Sequence, residues 1–279
     1  YKIVSEDGVE YNKLVTPTAA SISLLNKDDE KIVFIMAESW GKSINTEITQ
    51  AQLAPLKEGA NLKDVMERSI NASGSTVFAE FRELCGKIPS KLKFKYLDKD
   101  NMKDCLPNIY LDKGYKTISL HGAIGSMYDR LVWYPAIGFS EMKFKDDFPY
   151  SSERICFSFP GYCDRFIFDE VEKNIKNNDR VFLYWMTLNS HTPFDQRDIV
   201  NYRKELCDKL FIEKYEDQLC KYHNLHLQFF EKLAELIKKE SMKGVRFIIV
   251  GDHAPIFNDE SSRVLFDKKN VPMISFTVQ

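Results

Sequence analysis

The sequence lacks any apolar run long enough to cross a bilayer, a span that needs about 20 residues. Its longest apolar runs, residues 32–37 and 181–186, have the length of buried strands. It also lacks a charged-then-apolar leader, because it opens on Tyr1 followed by polar residues. These absences predict either a cytosolic protein or a fragment of a longer one.

A cationic surplus is missing as well. The formal net charge is -2, whereas a protein that holds nucleic acid needs positive charge to neutralise phosphates. Hydrophobic residues make up 44% and charged residues 29%, which is typical of a globular protein. The length of 279 residues suits one large core, and no internal repeat or low-complexity tract divides it. We therefore expect a single domain over residues 1–279.

There is no Cys-x-x-Cys pair, and none of the five histidines lies at zinc-finger spacing from a cysteine, which argues against a structural zinc site. The six cysteines permit 15 pairings, so the sequence does not fix their connectivity. Disulfides would place the protein in an oxidising compartment, and six buried free thiols are the alternative. The simplest disulfide set joins sequential neighbours, Cys85 with Cys105, Cys156 with Cys163 and Cys207 with Cys220.

Short β-branched and aromatic runs alternate with longer amphipathic stretches, which predicts an α/β fold with a mainly parallel central sheet flanked by helices. Apolar residues at helical spacing predict helices within residues 77–84 and 209–239. The segments 41–60 and 134–162 contain Gly and Pro and are predicted to be irregular. Central strands are predicted at residues 31–37, 116–120, 180–187 and 246–250, with a last strand at 271–276.

Ligands of open α/β sheets bind beyond the carboxyl ends of the strands. In this sequence four apolar runs are each followed there by an ionisable or metal-capable group. These groups are Glu38, His121, His191 and the pair Asp252-His253. A single histidine at a strand end is usually a structural hydrogen-bonding group, but four such ends together favour a site.

Two carboxylates and an imidazole, Glu38, Asp252 and His253, suit a divalent cation such as Mn²⁺ or Zn²⁺, with Mg²⁺ a weaker candidate. Ca²⁺ would require more oxygens and no histidine. Three protein ligands leave a position for a nucleophile or a substrate oxygen. The structural alternative is that Asp252 caps the following turn with His253 buried beside it.

The nucleophile is expected to be a hydroxyl in the polar stretch before the helix near residue 77. A helix N-terminus favours phosphate oxygens, so a hydroxyl there suits phosphoryl chemistry. The residues of this stretch leave Ser73, Ser75 and Thr76 as equal candidates. The alternative is a helix cap, and Glu80 lies one place late for a strict capping box. On the long helix, His223 and His226 are interpreted as structural or surface residues.

Five motifs occur in order. They are Glu-Ser-Trp at 38–40, Gly-Ser-Thr-x-x-Ala-Glu-Phe at 74–81, His-Gly-x5-Tyr-x-Arg at 121–130, Ser-His-Thr-Pro-Phe at 190–194 and Gly-Asp-His-Ala-Pro at 251–255. Together they resemble the alkaline phosphatase/sulfatase superfamily. Within it, the sequence is most similar to the lipoteichoic acid synthase and phosphoglycerol transferase branch and to the related bacterial phosphoethanolamine transferases.

The resemblance implies metal ligation by Glu38, Thr76, Asp252 and His253, with Thr76 as the nucleophile. It also implies that residues of the phosphoryl and head-group pocket are His121, Tyr128, Arg130 and His191. In these roles Arg130 would hold phosphate oxygens with its planar fork, and His191 would stabilise the phosphate or protonate the leaving oxygen.

Two positions depart from the branch. Tyr128 stands where lipoteichoic acid enzymes usually have Trp, and Ala123 stands where they have an acidic or polar residue near the glycerol. The head group could therefore be ethanolamine instead of glycerol. Trp40 is interpreted either as a stacking wall for substrate or as an apolar residue packed beside the strand end.

The resemblance implies a transferase that moves phosphoglycerol or phosphoethanolamine from a phospholipid donor, through a phospho-threonine, to a surface glycan or glycolipid. It also implies an upstream transmembrane segment in the bacterial inner membrane, with the catalytic domain periplasmic or extracellular. The alternatives are a phosphodiesterase or phosphatase of the same superfamily and a non-catalytic glycan-binding or assembly domain. A sulfatase would need Cys or Ser in a Cys/Ser-x-Pro/Ala-x-Arg motif, which is absent after Thr76.

Overall fold

A computed structural model describes residues 2–4, 10–13, 16–24, 29–72, 74–90, 94, 97, 99–211 and 215–279. Its strands are β1 (Lys2–Val4), β2 (Glu10–Lys13), β3 (Lys31–Ala37), β4 (Leu62–Asn71), β5 (Lys87–Pro89), β6 (Lys116–His121), β7 (Glu141–Lys143), β8 (Val181–Met186), β9 (Arg246–Gly251) and β10 (Asn270–Val278). Its helices are α1 (Ala19–Ser23), α2 (Thr46–Gly59), α3 (Thr76–Cys85), α4 (Leu106–Asp112), α5 (Arg130–Ile137), α6 (Asp164–Asn177), α7 (Lys204–Leu210), α8 (Asp217–Ile237) and α9 (Glu260–Arg263).

Seven strands form the central sheet in the order β4-β10-β9-β3-β8-β6-β7. The five strands from β9 to β7 run parallel, and β10 pairs antiparallel with both β9 and β4. A separate small sheet has the order β1-β2-β5. The predicted α/β architecture with a mainly parallel sheet is confirmed.

Both faces of the central sheet are covered, which explains why β3 is apolar at successive positions. Ile32, Phe34 and Met36 pack on one face, where α1, α3, α4 and α5 lie. The alternate residues Val33 and Ile35 pack on the other face, against α2, α6 and α8. The sheet is thus held between two helical layers, and its carboxyl edge is left for polar residues.

The predicted central strands and the last strand are found within a residue or two of their expected limits. The prediction was wrong for the segment 41–60, because α2 occupies most of it, with Pro55 inside the helix and the Asn45 side chain accepting from Glu47 N at its start. The expected long helix is divided, since α7 ends at Leu210 and α8 begins at Asp217. Within the predicted irregular segment 134–162, α5 extends to Ile137 and β7 follows.

Three disulfides join sequential neighbours: Cys85–Cys105, Cys156–Cys163 and Cys207–Cys220. This is the simplest of the 15 possible pairings, which the sequence alone did not fix, and none of the six cysteines is free. Disulfides persist mainly in oxidising compartments. Within the described part of the chain, no helix combines the length and the apolar character that a membrane span requires.

Candidate active site at the carboxyl edge of the sheet

The carboxyl edge of the sheet brings together the four residues predicted to hold a metal. Glu38 follows β3, Asp252 and His253 follow β9, and Thr76 is the first residue of α3. Thr76 Oγ1 lies 2.9 Å from Asp252 Oδ2 and 3.4 Å from both Glu38 Oε2 and His253 Nε2. Residues 38, 76 and 252, far apart in the chain, therefore meet around one hydroxyl oxygen.

Helix α3 decides which hydroxyl faces this cluster. Ser75 is its N-cap residue, and its side chain makes no capping hydrogen bond. Thr76 follows and points at Asp252, so the capping alternative does not describe its side chain. Ser73, the third candidate, lies outside the described residues.

Two carboxylates of the cluster, Glu38 and Asp252, lie close together and repel each other when both are ionised. Burial, and after it the negative charge of Asp252, raises the pKa of Glu38 to about 8. Burial lowers the pKa of His253, but the carboxylates of Asp252 and Glu38 outweigh it, so the pKa is raised above its ordinary value. One ligand atom from each of these three residues lies within 4.8 Å of the others. Two carboxylates, an imidazole and a hydroxyl at this spacing fit a divalent cation.

A network of hydrogen bonds orients the carboxylates. Asp252 Oδ1 accepts from the backbone N–H groups of Ser39 and His253, at 2.7 Å each. Ser39 Oγ donates to Glu38 Oε1 at 2.9 Å, and the Ser39 backbone has a positive φ of 56°. Ser190 Oγ donates to the Glu38 carbonyl at 2.5 Å. Such partners fix ligand geometry, and no sequence pattern pointed to Ser39 or Ser190 in this role.

A glycine is required where β9 passes the Glu38 turn. A Cβ on Gly251 would lie 1.9 Å from the carbonyl oxygen of Trp40, which is closer than any contact between these atoms allows. Arg82 also donates from its guanidinium to the carbonyls of Gly251 and Asp252, at 3.4 and 3.5 Å. The loop that carries the aspartate and histidine is therefore packed closely against the Trp40 backbone and held by an arginine.

His121 is buried at the end of β6, with Nδ1 2.9 Å from the Met186 carbonyl. Burial, and after it the charge of Arg130, lowers the pKa of this ring well below its ordinary value. Nδ1 therefore carries the proton that is donated to the carbonyl, and Nε2 is left as an acceptor.

His191 is partly buried after β8. Its Nδ1 lies 2.5 Å from the Thr192 carbonyl, and its ring contacts Phe159 edge-on, with 4.9 Å between the ring centroids. Thr192 is followed by a cis peptide bond to Pro193. Nε2 of His191 is thereby directed away from its own backbone.

Arg130 is buried, and its main partner is a carboxylate that the sequence reading treated only as a displaced capping residue. Its Nη2 lies 2.8 Å from Glu80 Oε2. Tyr128 is 40% exposed, and its ring lies 5.2 Å from the Arg130 guanidinium carbon. The sequence signal for this pairing was the Ala-Glu-Phe portion of the motif at 74–81, in which the Glu had no assigned role.

Trp40 is fully buried. Its indole N–H donates to Gln52 Oε1 at 3.0 Å, and its ring packs on Phe230. Of the two interpretations of this residue, the geometry matches the packed one, because no face is exposed to a substrate. Ala123 is likewise buried.

His223 and His226 are each only 1% exposed on α8, which fits the structural interpretation and not the surface one. Among the described residues, one other group of possible metal ligands is Cys156, Cys163 and Asp198. Its two cysteines form a disulfide, and Asp198 accepts from backbone N–H groups of residues 157 and 158.

The sulfatase family model matches residues 30–276 of the chain. No curated protein matches the chain in sequence. Among solved structures, the lipoteichoic acid synthase LtaP from Listeria monocytogenes is 19% identical with a TM-score of 0.63, and the match covers 88% of this chain and 65% of the synthase chain. The chain thus spans less than two thirds of that protein.

Two further structures are similar in fold. The phosphoglycerol transferase GacH from Streptococcus pyogenes, in complex with sn-glycerol-1-phosphate, is 14% identical with a TM-score of 0.59, covering 92% of this chain and 72% of that one. The C-terminal periplasmic domain of EptC from Escherichia coli, in complex with Zn, is 12% identical with a TM-score of 0.56, covering 91% and 74%. With five ordered motifs, a mainly parallel sheet and a family match over almost the whole length, the chain belongs to the sulfatase family of the alkaline phosphatase/sulfatase superfamily.

Proposed function

We propose that residues 1–279 form a single catalytic domain of a metal-dependent transferase. It moves a phosphoglycerol or phosphoethanolamine head group from a phospholipid to an envelope glycan or glycolipid, through a covalent phospho-threonine. The observation that carries this proposal is the position of Thr76 Oγ1, 2.9 Å from Asp252 and within 3.4 Å of Glu38 and His253. A hydroxyl in this setting is an activated nucleophile.

The sulfatase-like family is metal-dependent. In this chain Glu38, Thr76, Asp252 and His253 would hold one divalent ion, and their mixture of oxygen and nitrogen ligands favours Mn²⁺ or Zn²⁺ over Mg²⁺. When bound, the ion lowers the pKa of the hydroxyl and neutralises charge on the phosphate. The pKa of Glu38, raised first by burial and then by the charge of Asp252, supports this role, because a bound cation would stabilise the buried carboxylate and relieve that repulsion.

In the first step Thr76 Oγ1 attacks the phosphorus of the lipid, and the bond from phosphorus to the diacylglycerol oxygen breaks. The threonine proton leaves toward Asp252 Oδ2, its nearest acceptor. His191 is suited to give a proton to the leaving diacylglycerol oxygen, since Nε2 is not engaged with its own backbone. In the second step an acceptor hydroxyl gives its proton to His191 and attacks the same phosphorus, and the threonine oxygen leaves and takes back the proton held by Asp252.

Other residues of the chain would bind and orient the phosphate. Arg130 would donate from its planar guanidinium, and the neutral His121 would accept from a hydroxyl or ammonium of the head group through Nε2. Tyr128, exposed beside Arg130, would contact the head group at the entrance. Positioning and charge stabilisation of this kind account for most catalysis in phosphoryl transfer.

The proposed location is the outer side of the bacterial inner membrane, with the domain periplasmic or extracellular and an anchor upstream. Three disulfides support an oxidising compartment, and the EptC structure that resembles this chain is a periplasmic domain. The proposed donor is consistent with this location, because phospholipids lie at the membrane surface.

Intact-mass analysis tests the proposal. The protein, loaded with Mn²⁺ or Zn²⁺, is mixed separately with vesicles containing phosphatidylglycerol or phosphatidylethanolamine. With one of the two lipids we expect the mass of the protein to increase by one phosphoglycerol or one phosphoethanolamine group. The lipid that gives the increase is the donor. Thr76→Ala is expected to abolish the adduct, whereas Ser75→Ala, at the neighbouring hydroxyl, is expected to keep it. An adduct that persists in Thr76→Ala would mean that the nucleophile is another residue.

The same experiment distinguishes the hydrolase alternative. A transferase retains the adduct until a sugar hydroxyl is supplied, whereas a phosphodiesterase releases phosphoglycerol or phosphoethanolamine into water without one. Rapid release in the absence of any acceptor would favour the hydrolase.

A further inference from the structure

Helix α3 carries a buried carboxylate one turn beyond Thr76. Glu80 Oε2 accepts from Arg130 Nη2 at 2.8 Å and from Nε at 3.2 Å, and Oε1 accepts from Tyr184 Oη at 3.1 Å and from Tyr134 Oη. The four side chains are at most 1% exposed. Both oxygens of Glu80 are therefore fully engaged, and the arginine side chain is locked in place.

The contacts with Glu80 leave one edge of the guanidinium for another partner. Nε and Nη2 form the edge that faces the carboxylate. Among the residues that the structure describes, Nη1 has one hydrogen-bond acceptor, the Met127 carbonyl, at the long distance of 3.4 Å. The edge formed by Nη1 and the second N–H of Nη2 keeps its paired donors, and such a pair matches two oxygens of a phosphate.

Arg130 is anchored to the same helix that carries Thr76, through its ion pair with Glu80. Its positive charge also lowers the pKa of the His121 ring, after the larger effect of burial. Residues four apart on an α-helix lie on the same face, with an axial rise of about 6 Å. Thr76 and Glu80 stand in this relation, so one rigid helix sets both the nucleophile and the anchor of the arginine.

We propose that Glu80 is a positioning residue, which fixes Arg130 so that its free edge meets a phosphate held at Thr76. This inference rests on the proposed function, in which Arg130 binds the phosphate. A buried ion pair by itself adds little to stability, since desolvation offsets the attraction. The role of Glu80 is therefore tested through the arginine and not through unfolding.

The test measures the affinity of the Mn²⁺-loaded protein for inorganic phosphate by calorimetry. Glu80→Gln places amide N–H groups against the donors of Arg130 and the tyrosines, and we expect about 10-fold weaker phosphate binding. Arg130→Ala is expected to weaken binding at least as much. The double variant is expected to bind no more weakly than Arg130→Ala, because Glu80 acts only through the arginine. The proposal is overturned if the double variant loses phosphate affinity by the product of the two single-variant decreases. It is also overturned if Glu80→Gln binds phosphate as tightly as the wild-type protein.

Tyr184→Phe is a milder variant that covers the case in which Glu80→Gln does not fold. It removes one donor to Glu80 and leaves every Arg130 contact in place. We expect about 2- to 5-fold weaker phosphate binding in the wild-type background. In the Arg130→Ala background the same substitution is expected to cause no further weakening. An equal loss in both backgrounds overturns the proposal.

Glu231→Gln is the matched control. It breaks an ion pair in which Arg203, at the start of α7, contacts Glu231 of α8, with 2.7 Å between Nη1 and Oε1. The phosphate affinity of this variant is expected to stay unchanged. Because phosphate binding needs no turnover, a wild-type protein that binds phosphate but forms no adduct on Thr76 would refute the proposed function alone. Failure of the loaded wild-type protein to bind phosphate refutes the positioning role.

Discussion

Glu38→Gln is expected to stabilise the metal-free protein while abolishing metal binding. In the metal-free fold, burial and the neighbouring Asp252 raise the pKa of Glu38 from 4.5 to about 8. When folding raises the pKa of a carboxyl, the protein loses stability as pH increases from the unfolded-state pKa of that group to its folded-state pKa. One pKa unit corresponds to about 1.4 kcal/mol, so the ionised carboxylate costs the empty fold roughly 5 kcal/mol above pH 8.

The raised pKa of His253 acts in the same direction. A histidine with a raised pKa contributes stability at low pH that is lost as pH rises. The metal-free wild-type protein is therefore expected to lose stability between about pH 5 and pH 9. The buried glutamine amide offsets part of the gain in Glu38→Gln, so we expect a net stabilisation of about 2–4 kcal/mol at pH 9 and little at pH 5.

Urea unfolding in the presence of a chelator, at both pH values, gives these free energies. Glu58→Gln, at an exposed glutamate of α2, serves as the control and is expected to differ little from wild type. Mn²⁺ is expected to stabilise the wild-type protein and the control but not Glu38→Gln. An equal stability of wild type and Glu38→Gln at pH 9 would refute the assignment of Glu38 as a strained, metal-binding carboxylate.

Three more predictions follow from other groups. The ring of His121 is expected to be neutral at pH 6.5, because burial, and after it the charge of Arg130, lowers its pKa; histidine NMR would contradict this if its shifts titrated near pH 6.5. Burial raises the pKa of Asp164 to about 7, so its ionisation lowers the stability of the protein as pH rises toward 7. Asp164→Asn is therefore expected to weaken the pH dependence of the free energy of unfolding. An unchanged slope of that free energy against pH would argue against this. Replacing both Cys85 and Cys105 by Ser opens a loop with a sequence separation of 20, and chemical unfolding should report a loss of about 3 kcal/mol.

Strands with apolar residues on both faces were predictable because burial in a parallel sheet leaves a continuous apolar run. Residues 31–37 and 246–250 are such runs, and Glu38 and Asp252, which follow them, lie close together at the carboxyl edge of the sheet. Strand β4 was not predicted, because most of its residues are partly or fully exposed and it lacks such a run. Its place is decided by antiparallel pairing with β10, a contact between distant parts of the chain.

The α/β class and the residue types available at the carboxyl edge of the sheet were predictable from local sequence patterns. Local patterns record these properties, since they depend on which groups prefer burial or bind cations. From composition the sequence left Ser73, Ser75 and Thr76 equal as nucleophile candidates, and only the resemblance separated them. The tertiary structure directs the Thr76 hydroxyl at Asp252 and joins Arg130 to Glu80, 50 positions away. Such pairings depend on how helices pack across the sheet, because short-range sequence patterns do not specify contacts between distant segments.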